Sequence, residues 1–181
     1  MCRCVSISAL TALLATVCIT AAGASPVWKW SYSGDGIQAS GTFITLENAD
    51  ANGGYLITAI TGARNGERIT ALQPAGTAIP GNEPYTVDNL VFKGPGPQLT
   101  SHGFGFATSG GNYSNPFYAD FLPAPGYLEF FSMPPSHSHT ELPILFSATL
   151  VPAPEPATGA LLYTAIALAG LTLRRMKQPR Q

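Results

Sequence analysis

Alternating hydrophobic and polar residues predict β-strands in the central part of the chain. Residues 27–33 read VWKWSYS, which places Trp28, Trp30 and Tyr32 on one face of a strand. Residues 55–61 read YLITAIT, a run rich in β-branched side chains that favours a second strand. Each of these strands is therefore expected to bury at least one face.

A β-hairpin is predicted directly after the second of these strands. Residues 62–66 (GARNG) form the turn, because the Asn65-Gly66 pair suits the positive φ angles of a tight turn, and residues 67–72 return as the partner strand. Clusters of glycine and proline separate the other candidate strands, which are residues 42–46, 87–92, 103–108, 117–121, 127–133 and 144–150.

These short strands indicate an all-β fold, because no sustained helical period occurs between residues 26 and 151. Frequent turn signals are typical of a β-sandwich or a barrel. We predict a single β-sandwich, jelly-roll-like or immunoglobulin-like, with one helix before it and one after it. The 181 residues suffice for one domain of this kind, and the 19 glycines and 16 prolines serve as turn residues between strands.

The first 24 residues form a separate unit. Arg3 is followed by an apolar run over residues 5–20, and Ala22 and Ala24 then supply the small-x-small pattern that signal peptidase accepts. We predict a helical secretory signal peptide that is cleaved after Ala24. The alternatives are a retained membrane anchor and a lipoprotein attached through Cys18. All three cysteines lie in this segment, so we expect no disulfide in the mature protein.

The end of the chain is a second segment whose residues indicate targeting, after the signal peptide. Residues 157–173 carry no charge and would span about 25 Å as a helix, at the short end of the range for a bilayer. Arg174 and Arg175 follow at once, so the positive-inside rule places the C-terminus in the cytoplasm. The preceding residues 152–156 (PAPEP) cannot continue a helix and are expected to form an extended spacer. An unprocessed membrane anchor is one interpretation of this arrangement.

A second interpretation comes from a family resemblance. Pro154-Glu155-Pro156, the apolar segment and the two arginines, in this order, resemble the PEP-CTERM sorting signal of proteins exported by diderm bacteria. The resemblance implies that exosortase, a membrane-embedded cysteine transpeptidase, recognises the Pro-Glu-Pro triplet while the helix holds the protein in the membrane and the arginines stop transfer. The protein would then reach the cell surface or the medium. The predicted units are a signal peptide (1–24), an exported domain (25–151) and a sorting signal (152–181).

Charge is divided unevenly along the chain. Nine acidic and four basic side chains give residues 26–151 a formal charge near −5, whereas the last eight residues carry +4. A nucleic-acid partner would need a basic patch on the domain, and the sequence provides none. The expected partners are signal peptidase, exosortase, the membrane and an extracellular polysaccharide.

Two groups of side chains are candidate metal ligands. His137, His139 and Glu141 would share one face of an extended segment, and two imidazoles with a carboxylate suit zinc. Neighbouring prolines favour a surface loop there instead. A second, oxygen-rich group has ligands that calcium prefers, although its spacing is not that of an EF-hand, and we expect a solvated loop. Its members are Glu47, Asn48, Asp50 and Asn52. We predict no bound metal or cofactor.

The aromatic residues of the first strand have two interpretations. Trp28, Trp30 and Tyr32 could form a platform for sugar rings, but a strand that faces a core requires the same alternation, and we favour the core. Phe104 and Phe106 carry the same two interpretations.

No catalytic motif stands out in the sequence. A nucleophile elbow and a zinc-protease helix are both missing, and Asp120 and Glu129 lack the context of a glycosidase pair. We therefore expect a non-catalytic surface or matrix protein that associates with polysaccharide. The alternatives are a small secreted hydrolase without a recognisable motif and a simple membrane-anchored surface protein.

Overall fold

The computed structural model describes residues 25–136 and 138–152, and this part of the chain is all-β apart from a single turn of 3₁₀ helix at Pro134–Ser136. All nine predicted strands are present. Their bounds are β1 Val27–Gly34, β2 Ile37–Thr45, β3 Gly54–Arg64, β4 Glu67–Leu72, β5 Leu90–Phe92, β6 Phe106–Thr108, β7 Tyr113–Ala119, β8 Gly126–Met133 and β9 Ser138–Val151. The prediction of an all-β fold is confirmed.

Eight of the strands form one antiparallel sheet that closes on itself. The order around the sheet is β1, β2, β3, β4, β6, β7, β8 and β9, and β9 pairs with β1 again. That closing pair runs the whole length of β1, from Val27 opposite Val151 to Gly34 opposite Ile144. The short β5 pairs only with the beginning of β3.

This closed, barrel-like sheet corrects the predicted β-sandwich. A sandwich consists of two packed sheets, and each sheet has edges. Here each of the eight strands has a neighbour on both sides, because β9 reaches β1 and β2 also pairs with β3. Inward and outward side chains alternate along a strand in both architectures, so the alternation alone did not distinguish them.

The predicted hairpin is confirmed at the junction of β3 and β4, but its turn consists of Asn65 and Gly66 alone, because residues 62–64 of the predicted turn belong to β3. Arg64 lies opposite Glu67, and between them Asn65 and Gly66 have φ angles of 46° and 83°. The Asn65 side chain also accepts a hydrogen bond from the Gln38 backbone N–H at 2.8 Å. The β3–β4 turn is thereby fastened to the start of β2.

Two opposed glycines allow a tight bend between β2 and β3. Gly41 lies opposite Gly62, whose φ is 141°. A Cβ atom on Gly41 would overlap the carbonyl oxygen of Thr61. Glycine in a strand interior marks such close approaches in curved and closed sheets.

Aromatic side chains fill the interior of the barrel. Trp28, Trp30 and Tyr32 are each at most 2% exposed, so they belong to the core and the platform interpretation is wrong for them. The Trp30 ring stacks on the Phe43 ring with centroids 5.2 Å apart. Phe104 meets the Phe43 ring edge-on at 4.9 Å. Phe104 and Phe106 are themselves fully buried. An eight-stranded barrel is just wide enough for side chains to fill it, as they do here.

A second apolar cluster covers the outside of β7 and β8. Ile79, in the connection between β4 and β5, packs with Phe117, Ala119 and Phe130. The same connection is held by the Asn82 side chain, which donates a hydrogen bond to Asn115 Oδ1 at 3.2 Å. Both faces of these two strands are therefore largely buried.

The two predicted flanking helices, residues 1–24 and 157–173, lie outside the described residues. Within the described ranges no helix has the length and hydropathy required to cross a membrane.

Candidate functional site

The outward-facing residues of β9, β1, β2 and the end of β3 form an array of mostly polar side chains, seven of them serine or threonine, which we call the hydroxyl face. They follow the strand register in three rows. The first row is Thr149, Lys29, Thr42 and Thr61; the second is Ser147, Ser31, Ser40 and Ala63; the third is Leu145, Ser33, Gln38 and the turn residue Asn65. Ten of the twelve side chains are exposed, and Thr42 and Ala63 are half-buried.

The spacing of the hydroxyl face follows from sheet geometry. Neighbouring strands lie about 4.8 Å apart, and positions two residues apart along a strand are separated by about 6.7 Å. Within the first row the Thr42 and Thr61 hydroxyls are hydrogen-bonded at 2.7 Å. The array therefore presents hydroxyl donors and acceptors at regular intervals on a strand framework.

Two shallow depressions lie in this face. One, of about 410 Å³, is bordered by the second and third rows, including Gln38, Asn65 and Leu145. The other, of about 460 Å³, is bordered by the first and second rows, including Lys29 and Thr149. Ser31 and Ser40 line both depressions, which therefore adjoin, and we call the two together the trough.

The trough offers mainly neutral hydrogen-bonding groups. Lys29 is the single charged side chain among the twelve, and none of them is an acid or a histidine. A serine hydroxyl becomes a nucleophile when a base lies within hydrogen-bond reach, and Lys29 is the only basic side chain among the twelve. Hydroxyl and amide groups beside one ammonium can instead hydrogen-bond a neutral or anionic partner.

A buried ionic cluster inside the barrel joins β1 and β3 to β7 and β8. Glu129 on β8 is fully buried and receives two hydrogen bonds from Arg64, Nε to Oε1 at 2.7 Å and Nη2 to Oε2 at 2.8 Å. The hydroxyls of Tyr32 and Ser114 each donate to Oε1 at 2.5 Å. The Arg64 guanidinium carbon also lies 3.6 Å from the centroid of the Phe131 ring.

The electrostatics of this cluster favour the protonated forms of Tyr32 and Arg64. Burial, followed by the negative charge of Glu129, raises the pKa of the Tyr32 phenol well above its ordinary value, so that the phenol stays a donor. Burial alone would lower the pKa of Arg64, but the hydrogen bonds and charge of Glu129 raise it overall. Glu129 has no accessible surface at which a substrate could reach it. We therefore interpret the cluster as a support and not as a catalytic centre.

The ionic cluster lies directly beneath part of the hydroxyl face. Tyr32 lies between Ser31 and Ser33 on β1, and Arg64 lies beside Asn65 at the end of β3. Holding the inward side chains fixes the backbone from which the outward ones project. A surface whose backbone is already held in place loses less conformational entropy when it binds a partner.

The candidate zinc ligands are only partly described. His139 is exposed on β9, where its ring stacks on the Phe130 ring with centroids 5.2 Å apart, and Glu141 is exposed on the same strand. His137 lies outside the described residues. Among the residues that the structure does describe, no group of three or more histidine, cysteine, aspartate or glutamate side chains could hold a metal ion.

The candidate calcium loop is organised by its own backbone. Asp50 Oδ1 accepts hydrogen bonds from the N–H groups of Asn52 and Gly54, at 2.8 and 2.9 Å. This is the arrangement of an Asx turn, in which the carboxylate accepts hydrogen bonds from backbone N–H groups of its own loop. Glu47 and Asn48 are exposed.

The other predicted sites have separate outcomes. Glu129 is committed to the ion pair with Arg64, whereas Asp120 is exposed at the end of β7. The cleavage, sorting and stop-transfer residues stay predictions because they lie outside the described ranges. They are Ala22, Ala24, Pro154, Glu155, Pro156, Arg174 and Arg175.

Sequence reasoning missed both Arg64 and the hydroxyl face. Arg64 was assigned to the turn, although the spacing of Ile60, Gly62 and Arg64 puts it on the inward face. The serines and threonines of β1 and β2 alternate with the core aromatics, so they could have been assigned to one outward face. Only the register between strands shows that they form rows.

Comparison with known proteins gave no relatives: no family model, no curated protein and no solved structure matches this chain.

Proposed function

We propose that this barrel is the non-catalytic binding module of an exported bacterial surface protein, and that its hydroxyl face binds polysaccharide. The observation that carries the proposal is the three-row array of hydroxyl and amide groups, open to solvent and free of carboxylates within its twelve positions. Polysaccharides offer dense hydroxyl groups that match such an array in donors and acceptors. Lys29 would favour a polymer that carries some negative charge.

Binding can be tested with one substitution in the trough and one matched control. Ser40→Glu places a longer, negatively charged side chain where both depressions meet. Thr70→Glu makes the same charge change at an exposed position of β4, which is not part of the hydroxyl face. In pull-downs with bacterial exopolysaccharides and on a glycan array, we expect Ser40→Glu to weaken binding at least tenfold, about 1.4 kcal/mol. The control should bind like the parent.

Two results would contradict this proposal. One is that the parent protein binds no polysaccharide on the array. The other is that Ser40→Glu and Thr70→Glu bind equally well while both keep the folded tryptophan fluorescence.

The delivery part of the proposal is that the signal peptide exports the chain and the PEP-CTERM signal directs its processing. Support comes from the position of the barrel: β1 begins three residues after Ala24, and β9 ends three residues before Pro154. The described strands thus begin after the first recognition sequence and end before the second. Both are therefore compatible with a folded domain between them.

Mass spectrometry of the mature protein tests the delivery proposal. In a host with exosortase, we expect a C-terminus near residues 154–156, and in the same host without exosortase a longer chain. Glu155→Ala is the matched variant, because by the resemblance it removes the recognition element. An intact Gln181 in the host that contains exosortase would leave a simple membrane anchor as the explanation.

A further inference from the structure

One row beyond the hydroxyl face, the same four strands carry apolar residues. Val27 lies opposite Ile44 on one side and Val151 on the other, and Ile44 lies opposite Ala59. Val27 and Ile44 are 37% and 39% exposed, and Leu46, two residues beyond Ile44, is 51% exposed. We call these five residues the apolar rim.

The change from polar to apolar occurs within one step along the strands. Lys29, Thr42, Thr61 and Thr149 form the adjacent row, about 6.7 Å away. An apolar surface with a lysine immediately behind it is typical of proteins that rest in the interfacial layer of a membrane. The lysine stem can lie along the apolar groups while its ammonium reaches the lipid headgroups.

The path of the chain brings this end of the barrel close to the bilayer. β9 ends at Val151, a member of the rim, and five residues separate it from the apolar segment 157–173. Five residues bridge at most about 18 Å even when fully extended. β1 alone, with eight residues, is about 27 Å long. The rim therefore is the end of the barrel that faces a membrane in which segment 157–173 is inserted.

We propose that the apolar rim docks the barrel on the outer surface of the phospholipid bilayer while the C-terminal segment is still in the membrane. This inference rests on the proposed delivery route, because it requires that anchor. Docking sets the orientation of the hydroxyl face, whose rows then rise from the bilayer in the order first, second and third. The trough is thereby held upright and open to a polymer on the periplasmic side of that membrane.

Single-cysteine labelling tests the docking directly. The protein without its signal peptide contains no cysteine, so an introduced one is labelled uniquely. Ile44→Cys places an environment-sensitive fluorophore on the rim, and Ser33→Cys places it in the third row as the matched control. Each protein, carrying its C-terminal segment, is reconstituted into vesicles of phosphatidylethanolamine and phosphatidylglycerol. We expect a blue shift and quenching by nitroxide lipids at position 44, and neither at position 33.

Flotation of the same vesicles distinguishes a failure of the docking inference from a failure of the membrane anchor. If the protein floats with the vesicles but the label at position 44 remains in water, the docking inference is wrong and the anchor stands. If the protein does not float, the anchor is wrong and the docking inference falls with it. Val27→Cys replaces Ile44→Cys if the latter loses the tryptophan fluorescence of the folded barrel.

Discussion

Removing the charge of Glu129 should strongly destabilise the barrel. Glu129→Gln keeps the size of the side chain but leaves the guanidinium of Arg64, whose side chain is 9% exposed, without its counter-charge. Breaking a buried ion pair from one side typically costs about 3–5 kcal/mol, because the remaining charge stays buried. Native domains are stable by only about 5–15 kcal/mol, so a large share of the total is at stake.

The measurement is equilibrium unfolding in urea followed by tryptophan fluorescence. Trp28 and Trp30 are the only tryptophans and both are buried, so the signal reports directly on the interior of the barrel. The matched control is the double variant Glu129→Leu with Arg64→Met, which removes both charges. Because replacing a whole buried pair by apolar residues is often neutral or stabilising, we expect it to recover most of the loss.

Two outcomes would refute this reasoning. A Glu129→Gln protein whose free energy of unfolding lies within about 1 kcal/mol of the parent would show that the pair does not hold the barrel end. A double variant no better than Glu129→Gln alone would show that the loss comes from packing and not from the uncompensated charge.

Three further changes have directions that follow from the contacts. In the unfolded state the Tyr32 phenol ionises near pH 10, whereas burial and then the charge of Glu129 raise its pKa in the folded state. The free energy of unfolding therefore keeps the full contribution of Tyr32 below pH 10 and loses it as the pH rises further. Tyr32→Phe should make this loss smaller in unfolding curves measured at pH 9–11. Trp28→Phe should lower the free energy of unfolding by about 1 kcal/mol more than Trp30→Phe. The reason is that Trp28 Nε1 donates a hydrogen bond to Thr45 Oγ1 at 3.2 Å, whereas Trp30 Nε1 is a buried donor without a partner within the described residues. Equal losses in urea unfolding would contradict this. Gly41→Ala should lower the melting temperature by several degrees through its clash with β3, while Gly96→Ala, which meets no atoms, should leave it unchanged.

The strands could be predicted because their signals are local. β4 has the predicted bounds, Glu67–Leu72, since an Asn-Gly turn sets its start. β2 begins at Ile37, five residues earlier than predicted, because residues 38–41 (QASG) are small or polar and carry no strong local strand signal, although β1 pairs with them directly. β9 was predicted only from residue 144, because Pro143 and the polar residues before it resemble a loop.

The closure of the sheet and the ionic cluster could not be predicted, because both depend on pairing between distant parts of the chain. Arg64 and Glu129 are separated by 65 positions, and nothing in either local sequence indicates the other. The alternation of β8 does place Glu129 inward with Tyr127 and Phe131, which suggests a buried carboxylate but leaves its partner open. The hydroxyl face has the same origin, since its rows exist only through the register of β9 on β1.

The pairing of the first strand with the last has a consequence for export. A chain that crosses a membrane from its N-terminus releases β1 first and β9 last, so β1 waits for its second partner until residue 151 has emerged. Until then the free hydrogen-bonding edge of β1 is a template to which a strand of another chain could pair. Contacts of such long sequence separation also form slowly. On the proposed export route, the completion of translocation therefore competes with intermolecular strand exchange, and we expect periplasmic holdases to raise the yield.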